Sequence, residues 1–386
     1  MDRALITYGW NRIAYVVNRS LSNKGLKTFV GDMNLYHLNR FSKYSFTNFI
    51  YPNFYNEPEN FINFIVDFSL KNQIQYIFPM HEDTFVFSKF KDQILEQNLK
   101  ILLPDFSAIK KAHKKNESIE IAKDLDIPTP ETIYPQSFQD IVSFFKQYKN
   151  IVLKFINTNS AKGVFYPKSL EELRKFENDI GQYILQEYVV GDGYGVSMLY
   201  NKGKLRAKFS HKRLIEKIYT GGTSILRMSV KNRILEEYAE KILNHLNWNG
   251  VAMVEFKFNE KDKRAWFIEI NPRFWGSLAL PYIAGIDFPY LMYKILKYGD
   301  IEPVYDYKIG VKAKWILGGY IAFITDLIKR RKINFEYIKL NADGYDDWWP
   351  DDKKIIIGEI FYYFLKFIST FNLNPTKNTM VNIDEL

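Results

Sequence analysis

Four short apolar runs, ALIT (4–7), KTFVG (27–31), IQYIFP (74–79) and KILLP (100–104), alternate with stretches of helical length over the first hundred residues. Helices are predicted at 10–24, 57–72 and 84–97. Strands that alternate with helices form a parallel sheet with both faces covered. Ligands of such a sheet gather outside the carboxyl ends of its strands. HED (81–83) follows IQYIFP at such an end. His81 and Glu82 are therefore candidates to shape an acceptor pocket, and Asp83 reads equally well as a helix cap. Only TYGWNR follows the first strand, with no G-x-G-x-x-G, so a dinucleotide site there has weak support. Asp32 is better read as a strand-end turn residue than as a ribose-binding acid.

From 106 to about 180 a smaller α/β unit is expected. KKNESIEIAKDLDIPTP (114–130) reads as one amphipathic helix that stops before Pro128 and Pro130. NIVLKF (150–155) is a strand, INTNSAKG (156–163) a polar loop and SLEELRKFENDI (169–180) a helix. Beyond it strands dominate, at 183–190, 193–200, 204–210, 224–230, 251–258 and 265–270. Helices are expected at 231–246, 275–284 and 287–298. The last 85 or so residues are rich in aromatics and give no clear period. The divisions expected are 1–105, 106–182, 183–300 and a C-terminal extension, 301–386.

Composition removes several chemistries. The chain has no cysteine, which excludes disulfides, thiolate nucleophiles and Cys-ligated metals. Its five histidines are scattered, with no metal-spaced pair. A net charge of +9 fits a polyanionic ligand, a nucleic acid or an acidic membrane, but the surplus is spread along the chain. No basic stripe interleaved with aromatics marks a nucleic-acid binder. No signal peptide is read at MDRALITYGW, and no apolar run reaches the ~18 residues of a membrane span. A cytoplasmic protein is expected.

FIEINPRFWG (267–276) carries the main chemical signal. Side chains two apart on a strand share a face, so Glu269, Asn271 and Arg273 form a row. VAMVEFKF and AWFIEI flank the polar loop NEKDKR and read as a hairpin. Pairing symmetric about Asp262 sets Glu255 opposite Glu269. Two facing carboxylates repel, and a bridging Mg²⁺ with Glu, Glu and Asn oxygens would relieve them. A solvated charged hairpin explains the residues equally well at this point.

Other motifs follow in order. Lys154 ends an apolar strand, as a snorkelling lysine or a phosphate ligand. Ser160, Lys162 and Gly163 sit in a small-residue loop whose amides suit phosphate oxygens. In LQEYVVGDGYGV (185–196), Glu187 leads into a strand end whose backbone at Tyr188 and Val189 suits adenine; an ordinary strand with one exposed Glu is the alternative. In FSHKRL (209–214), placed at a strand end, His211 and Arg213 share a face. GGTS (221–224) is a turn.

Read together, a lysine ending a strand, a small-residue loop, QEYV, HKR…GGTS and VEFKF…FIEINPRFWG resemble the ATP-grasp superfamily, closest to carboxylate–amine ligases related to carbamoyl-phosphate synthetase domains. The resemblance covers roughly residues 1–300. It implies an α/β and α+β architecture: an ATP-grasp fold behind a Rossmann-like parallel-sheet domain, with a small lid subdomain at 106–182 and a large subdomain carrying the metal site at 183–300. It implies ATP and Mg²⁺ (or Mn²⁺) as cofactors. Lys115, Lys154, Lys162 and Gly163 would hold phosphates, Glu187, Tyr188 and Val189 adenine, and Tyr194 the ribose. Glu255, Glu269 and Asn271 would be the metal ligands. Arg273, Arg213 and Lys154 would be catalytic, with Glu216 and Glu82 as candidate bases. The implied activity forms an acyl phosphate from a carboxylate and passes the acyl group to an amine, releasing ADP and phosphate. A carbamate- or bicarbonate-phosphorylating enzyme and an ATP-binding regulatory module are the alternatives. The departures are Lys114, where the family often has Asp, and a single glycine in the 156–163 loop.

The partners expected are small carboxylates and amines, with no nucleic acid. KWILGGYIAFITDLIKRRK (314–332), interrupted by Asp326, is read as buried in a homodimer interface in preference to a peripheral membrane contact.

Overall fold

The computed structural model describes residues 1–156, 163–216, 224–370, 381–384 and 386. Its first sheet realises the strand–helix alternation. Strands β1 (Arg3–Ile6), β2 (Lys27–Asp32), β3 (Ser45–Ile50) and β4 (Tyr76–Phe78) lie in the order β3-β2-β1-β4. Every pairing is parallel. The helix Arg12–Asn23 starts where the Asn11 side chain accepts from the Ile13 amide, and Pro58 opens the helix Pro58–Lys71. The order reverses between β1 and β4, which opens a crevice at their carboxyl ends. KILLP is not a strand; only Lys100 bridges Tyr76. The edge strand β3 escaped the pattern because it is half exposed and lacks apolar–polar alternation.

The second sheet consists of β5 (Thr132–Ile133), β6 (Ile151–Phe155), β7 (Val164–Phe165) and β8 (Tyr183–Glu187), ordered β5-β8-β6-β7 and antiparallel. The helix Phe138–Tyr148 covers it, fixed at its start by the reciprocal Ser137–Asp140 capping box. This unit has its own apolar core, including Ile141, Phe144, Leu153, Tyr183 and Leu185. Strand β8 pairs with β5 and β6, so the break expected at 182 falls after Glu187. The helix expected from 114 is Lys115–Asp124, entered from an extended Lys114 (φ −71°, ψ 117°); a further helix, Phe106–His113, precedes it.

The third sheet has seven strands: β9 (Asp192–Asn201), β10 (Lys204–Glu216), β11 (Ser224–Val230), β12 (Gly250–Asn259), β13 (Arg264–Asn271), β14 (Lys312–Lys314) and β15 (Gly344–Tyr345). Their order is β13-β12-β9-β10-β11-β14-β15. The C-terminal strands β14 and β15 complete this sheet, so no sheet boundary lies at 300. The helix Arg233–His245 packs on one face, where Tyr238 meets Phe256 at 6.5 Å between ring centres. The opposite face carries Glu255 and Glu269.

A bulge sets that division of faces. Glu255 pairs with Glu269 and Phe256 with Phe267, leaving Ile268 as the extra residue. Ala265 and Phe267 therefore enter the core, while Glu269 and Asn271 point the other way. Without the bulge Phe267 would share the Glu269 face.

Candidate active site

The hairpin β12–β13 places Glu255 opposite Glu269, and Met253 opposite Asn271. Glu255 is 9% exposed. Its Oε1 accepts from Asn271 Nδ2 at 2.9 Å, and its Oε2 lies 2.5 Å from Arg213 Nη2. Burial raises the Glu255 carboxyl; Arg213 opposes the rise and Glu269 adds to it. With the Asn271 nitrogen engaged on Glu255, its carbonyl oxygen is the atom left for a cation.

Cations converge on this pair from three other segments. Lys115 begins a helix and is buried; desolvation lowers its pKa against the pull of Glu269. Lys154 on β6 is pushed down to about 8 by burial, with Glu269 opposing and Lys115 reinforcing the shift. Arg273 follows β13 and is buried, its Nη1 donating to the Phe274 carbonyl at 2.9 Å. Burial lowers its pKa too, while the charges of Glu82, Tyr8, Glu269 and Glu255 hold it up. Lys115, Lys154, Arg213 and Arg273 thus outnumber the two carboxylates between them, an excess that suits a polyphosphate.

The donor set also suits Mg²⁺. No group of three or more His, Cys, Asp or Glu side chains forms a cage among the described residues. Two carboxylates and one amide would leave further positions to water and phosphate oxygens, which is how Mg²⁺ is usually held.

Two glycines make room for the rest. A Cβ on Gly195 would lie 2.3 Å from His211 Cε1, and one on Gly193 2.4 Å from Glu216 Oε1 and 3.0 Å from Arg213 Cδ. His211 and Arg213 sit within the 13-residue β10, not at its end. Burial pushes the His211 imidazole well below its ordinary range, so it is neutral, and its Nε2 lies 3.4 Å from Ser277 Oγ. Arg213 pairs across the strands with Arg227, whose charge is met by Asp346. The glycine spacing in GDGYGV was the available signal for the cleared floor. The Arg227–Asp346 pair, 119 residues apart, left none.

Tyr194 requires a correction. It pairs with Lys212 and Phe256, which puts it on the face opposite Glu255. Its ring packs on Phe258 and its hydroxyl donates to Glu260. It does not line the site and cannot be the ribose contact. At the expected adenine hinge, the Glu187 side chain accepts from the Glu131 amide at 3.1 Å. The Tyr188 amide donates to the Asn150 carbonyl at 3.0 Å, so the hinge donor expected at Tyr188 is already engaged. Val189 follows directly. The Gly163 carbonyl accepts from Phe155. Lys162, and with it residues 157–162, lies outside the described residues, as do 221–223 of GGTS.

Tyr8 and Glu82, at the N-terminal sheet, lie close enough to Arg273 for their charges to act on it. Tyr8 stacks on His81 at 4.8 Å, and Glu82 accepts from the Val381 amide at 2.9 Å. Asp83 accepts from the amides of His81 and Met80 and from the Thr7 hydroxyl, so it ties the loop before its helix to the end of β1; the helix cap is Glu82, with no side-chain cap bond. Asp32 accepts from the amides of Trp10 and Asn34, as a turn residue does.

Lys154 gives a pH prediction. It is charged below about 8 and neutral above. Binding of ADP, followed by calorimetry, is expected to weaken as pH rises from 7 to 9, and Lys154→Arg should flatten that profile, since a guanidinium stays charged. An unchanged slope in the variant would exclude Lys154 from phosphate binding.

Residues 112–277 match the family model described as the ATP-grasp domain. The carbamoyl-phosphate synthase of Methanobrevibacter smithii is 20% identical over 198 residues, covering 48% of this chain and 53% of that protein. The D-alanine–D-alanine ligase of Rickettsia bellii is 32% identical over 136 residues, 31% of this chain and 42% of that one. The chain thus spans about half the length of the curated relatives it matches. Among solved structures, the biotin carboxylase domain of Hydrogenobacter thermophilus 2-oxoglutarate carboxylase superposes with a TM-score of 0.65 at 17% identity, over 80% of this chain and 73% of that one.

Proposed function

With an ATP-grasp domain at residues 112–277 as the premise, we propose that the protein is an ATP-dependent carboxylate–amine ligase. The observation that carries this reading is the meeting of Lys115, Lys154, Arg213 and Arg273 with the Glu255–Glu269 pair and Asn271. A substrate carboxylate oxygen attacks the γ-phosphorus of ATP, the bond to ADP breaks, and an acyl phosphate forms. An amine nitrogen then attacks the acyl carbon and phosphate leaves.

The first step needs positioning and charge neutralisation more than covalent help. Lys115 and Lys154 face the phosphates from the helix and the small sheet. Arg273, between the hairpin and Glu82, steadies the acyl phosphate. Arg213 orients Glu255 and offers its remaining N–H groups to the substrate. Glu255, Glu269 and Asn271 would hold Mg²⁺, or Mn²⁺, which when bound offsets the charge of the phosphate oxygens. Glu187 and Val189 are the proposed adenine contacts. Glu216, 3.8 Å from Arg213, and Glu82 are candidates to take the amine proton. The setting proposed is the cytoplasm, which supplies ATP and Mg²⁺. Among the described residues no helix is long and apolar enough to cross a membrane.

The similarity to the Rickettsia D-alanine–D-alanine ligase supports amide formation. The similarity to the Methanobrevibacter carbamoyl-phosphate synthase supports a second reading, in which the acid is bicarbonate or carbamate. A phosphate-release screen of small carboxylates, bicarbonate and amines, singly and in pairs, tests both. Release that requires an acid, with an amide found by mass spectrometry when an amine is added, is the expected result. Release with bicarbonate alone selects the second reading. Nucleotide binding without turnover across the panel overturns both.

A further inference from the structure

Of the twenty-eight exposed large apolar side chains among the described residues, thirteen lie between 320 and 368. On the helix Ile316–Arg330 the outward stripe is Tyr320, Ile324, Leu327 and Ile328, the last 74% exposed. Their spacing puts them on one face. The inward side carries Ile321, Ala322 and the buried Asp326. This helix turns apolar residues both inward and outward, which a helix facing only water does not do.

The chain continues through KRRK (329–332) to Ile333, Phe335 and Leu340, exposed by 61%, 60% and 62%. The net exposed charge along this stretch is positive. Arg330, Arg331 and Lys332 are its exposed cations; Asp326 is buried, and Glu336 and Lys339 pair with each other. The helix Lys354–Thr370 repeats the pattern. Ile357, Ile360, Phe364 and Ile368 are at least half exposed, its cations are Lys354 and Lys366, and its acid, Glu359, is buried.

We propose that the 320–340 face docks on an anionic lipid bilayer, with its apolar stripe at the headgroup–acyl boundary and Arg330, Arg331 and Lys332 against the phosphates. Apolar burial and cationic attraction together give stable interfacial binding, where one alone is marginal. A second copy of the chain fits less well. A two-fold interface sets the patch against a copy of itself, and the patch offers the basic segment no unpaired exposed acid, since Asp326 is buried and Glu336 is held by Lys339.

Flotation of the whole protein tests this, with vesicles of phosphatidylcholine alone and of phosphatidylcholine mixed with phosphatidylglycerol. The protein should float with the mixed vesicles only, and high salt should weaken binding. Ile324→Ser with Ile328→Ser, and separately Arg331→Glu with Lys332→Glu, should each cut the bound fraction at least about tenfold, with unchanged thermal melting. Arg331 and Lys332 are exposed, so the charge-reversed pair keeps the test decisive if the apolar pair does not fold. Absence from the mixed vesicles overturns the proposal, as does equal flotation with both kinds. So does a dimer in light scattering that the serine pair dissociates while no vesicle is bound.

Discussion

Glu269→Ala is expected to lower acid-dependent ADP formation by about 10³-fold, with the far-UV circular dichroism unchanged. Removing one electrostatic group from a phosphoryl-transfer site commonly costs 10²–10³-fold, and Glu269 has more than one task. It is one of two carboxylates proposed to hold Mg²⁺, and it is the opposing charge that keeps both Lys115 and Lys154 from shedding their protons more readily. Its loss should therefore weaken the proposed cation site and the lysines proposed to hold phosphate together. The fold should survive because Glu269 is only half buried and packs nothing in the core. Glu269→Gln keeps the shape but not the charge, and should be nearly as impaired. ADP formation at the parental rate in either variant would remove the hairpin from the chemistry.

Arg227→Met is the second large effect, and it falls on stability. Arg227 and Asp346 are each 1% exposed and paired, and Arg12 joins them from the first helix, 3.7 Å from Asp346 and 2.9 Å from Glu359. The Arg12 guanidinium also stacks 3.6 Å above the Trp315 ring. Deleting Arg227 leaves the Asp346 carboxylate buried beside Asp347 with Arg12, at 3.7 Å, as its remaining cation, so the cost falls at the low end of the range for a broken buried pair, about 3 kcal/mol. Urea unfolding should show that loss, and Asp346→Asn in the same chain should recover much of it. A single variant as stable as the parent would mean that the pair contributes nothing.

The network has a pH signature as well. Burial, with the charge of Asp347, raises Glu359 to about 8 against the pull of Arg12. The folded protein then holds a proton that the unfolded chain releases near its ordinary value of 4.5. Stability from this group is full below that value and is lost as pH rises toward 8.

The parallel sheet was readable because buried strands appear as apolar runs, and the helices between them follow from their spacing. The Glu255–Glu269 pairing was readable too, since a short polar loop fixes which residues face each other. The bulge at Ile268 was not: it depends on where Phe267 finds room. Tyr194 was misplaced although its face was available from parity. Counting in twos from the residues opposite Glu255 gives Gly195 and Gly193 on the site face, and Tyr194 away from it. The helix Phe106–His113 was not read, because its eight residues make barely two turns of amphipathic pattern. The C-terminal region resisted for two reasons. Its helices carry apolar residues on outward and inward faces alike, which erases the period, and its charges are settled by partners hundreds of residues away, such as Arg12 with Glu359.

The small sheet's separate core has a consequence of its own. Seven buried side chains, Ile141, Phe144, Ile151, Leu153, Leu173, Tyr183 and Leu185, form it without joining the main apolar mass. Deuterium uptake at β6 and β8 should therefore follow a private opening equilibrium, faster than in β9 and β12. Adaptation to cold or heat can then adjust that unit alone, by repacking a residue such as Ile141, and leave the seven-stranded scaffold as it is.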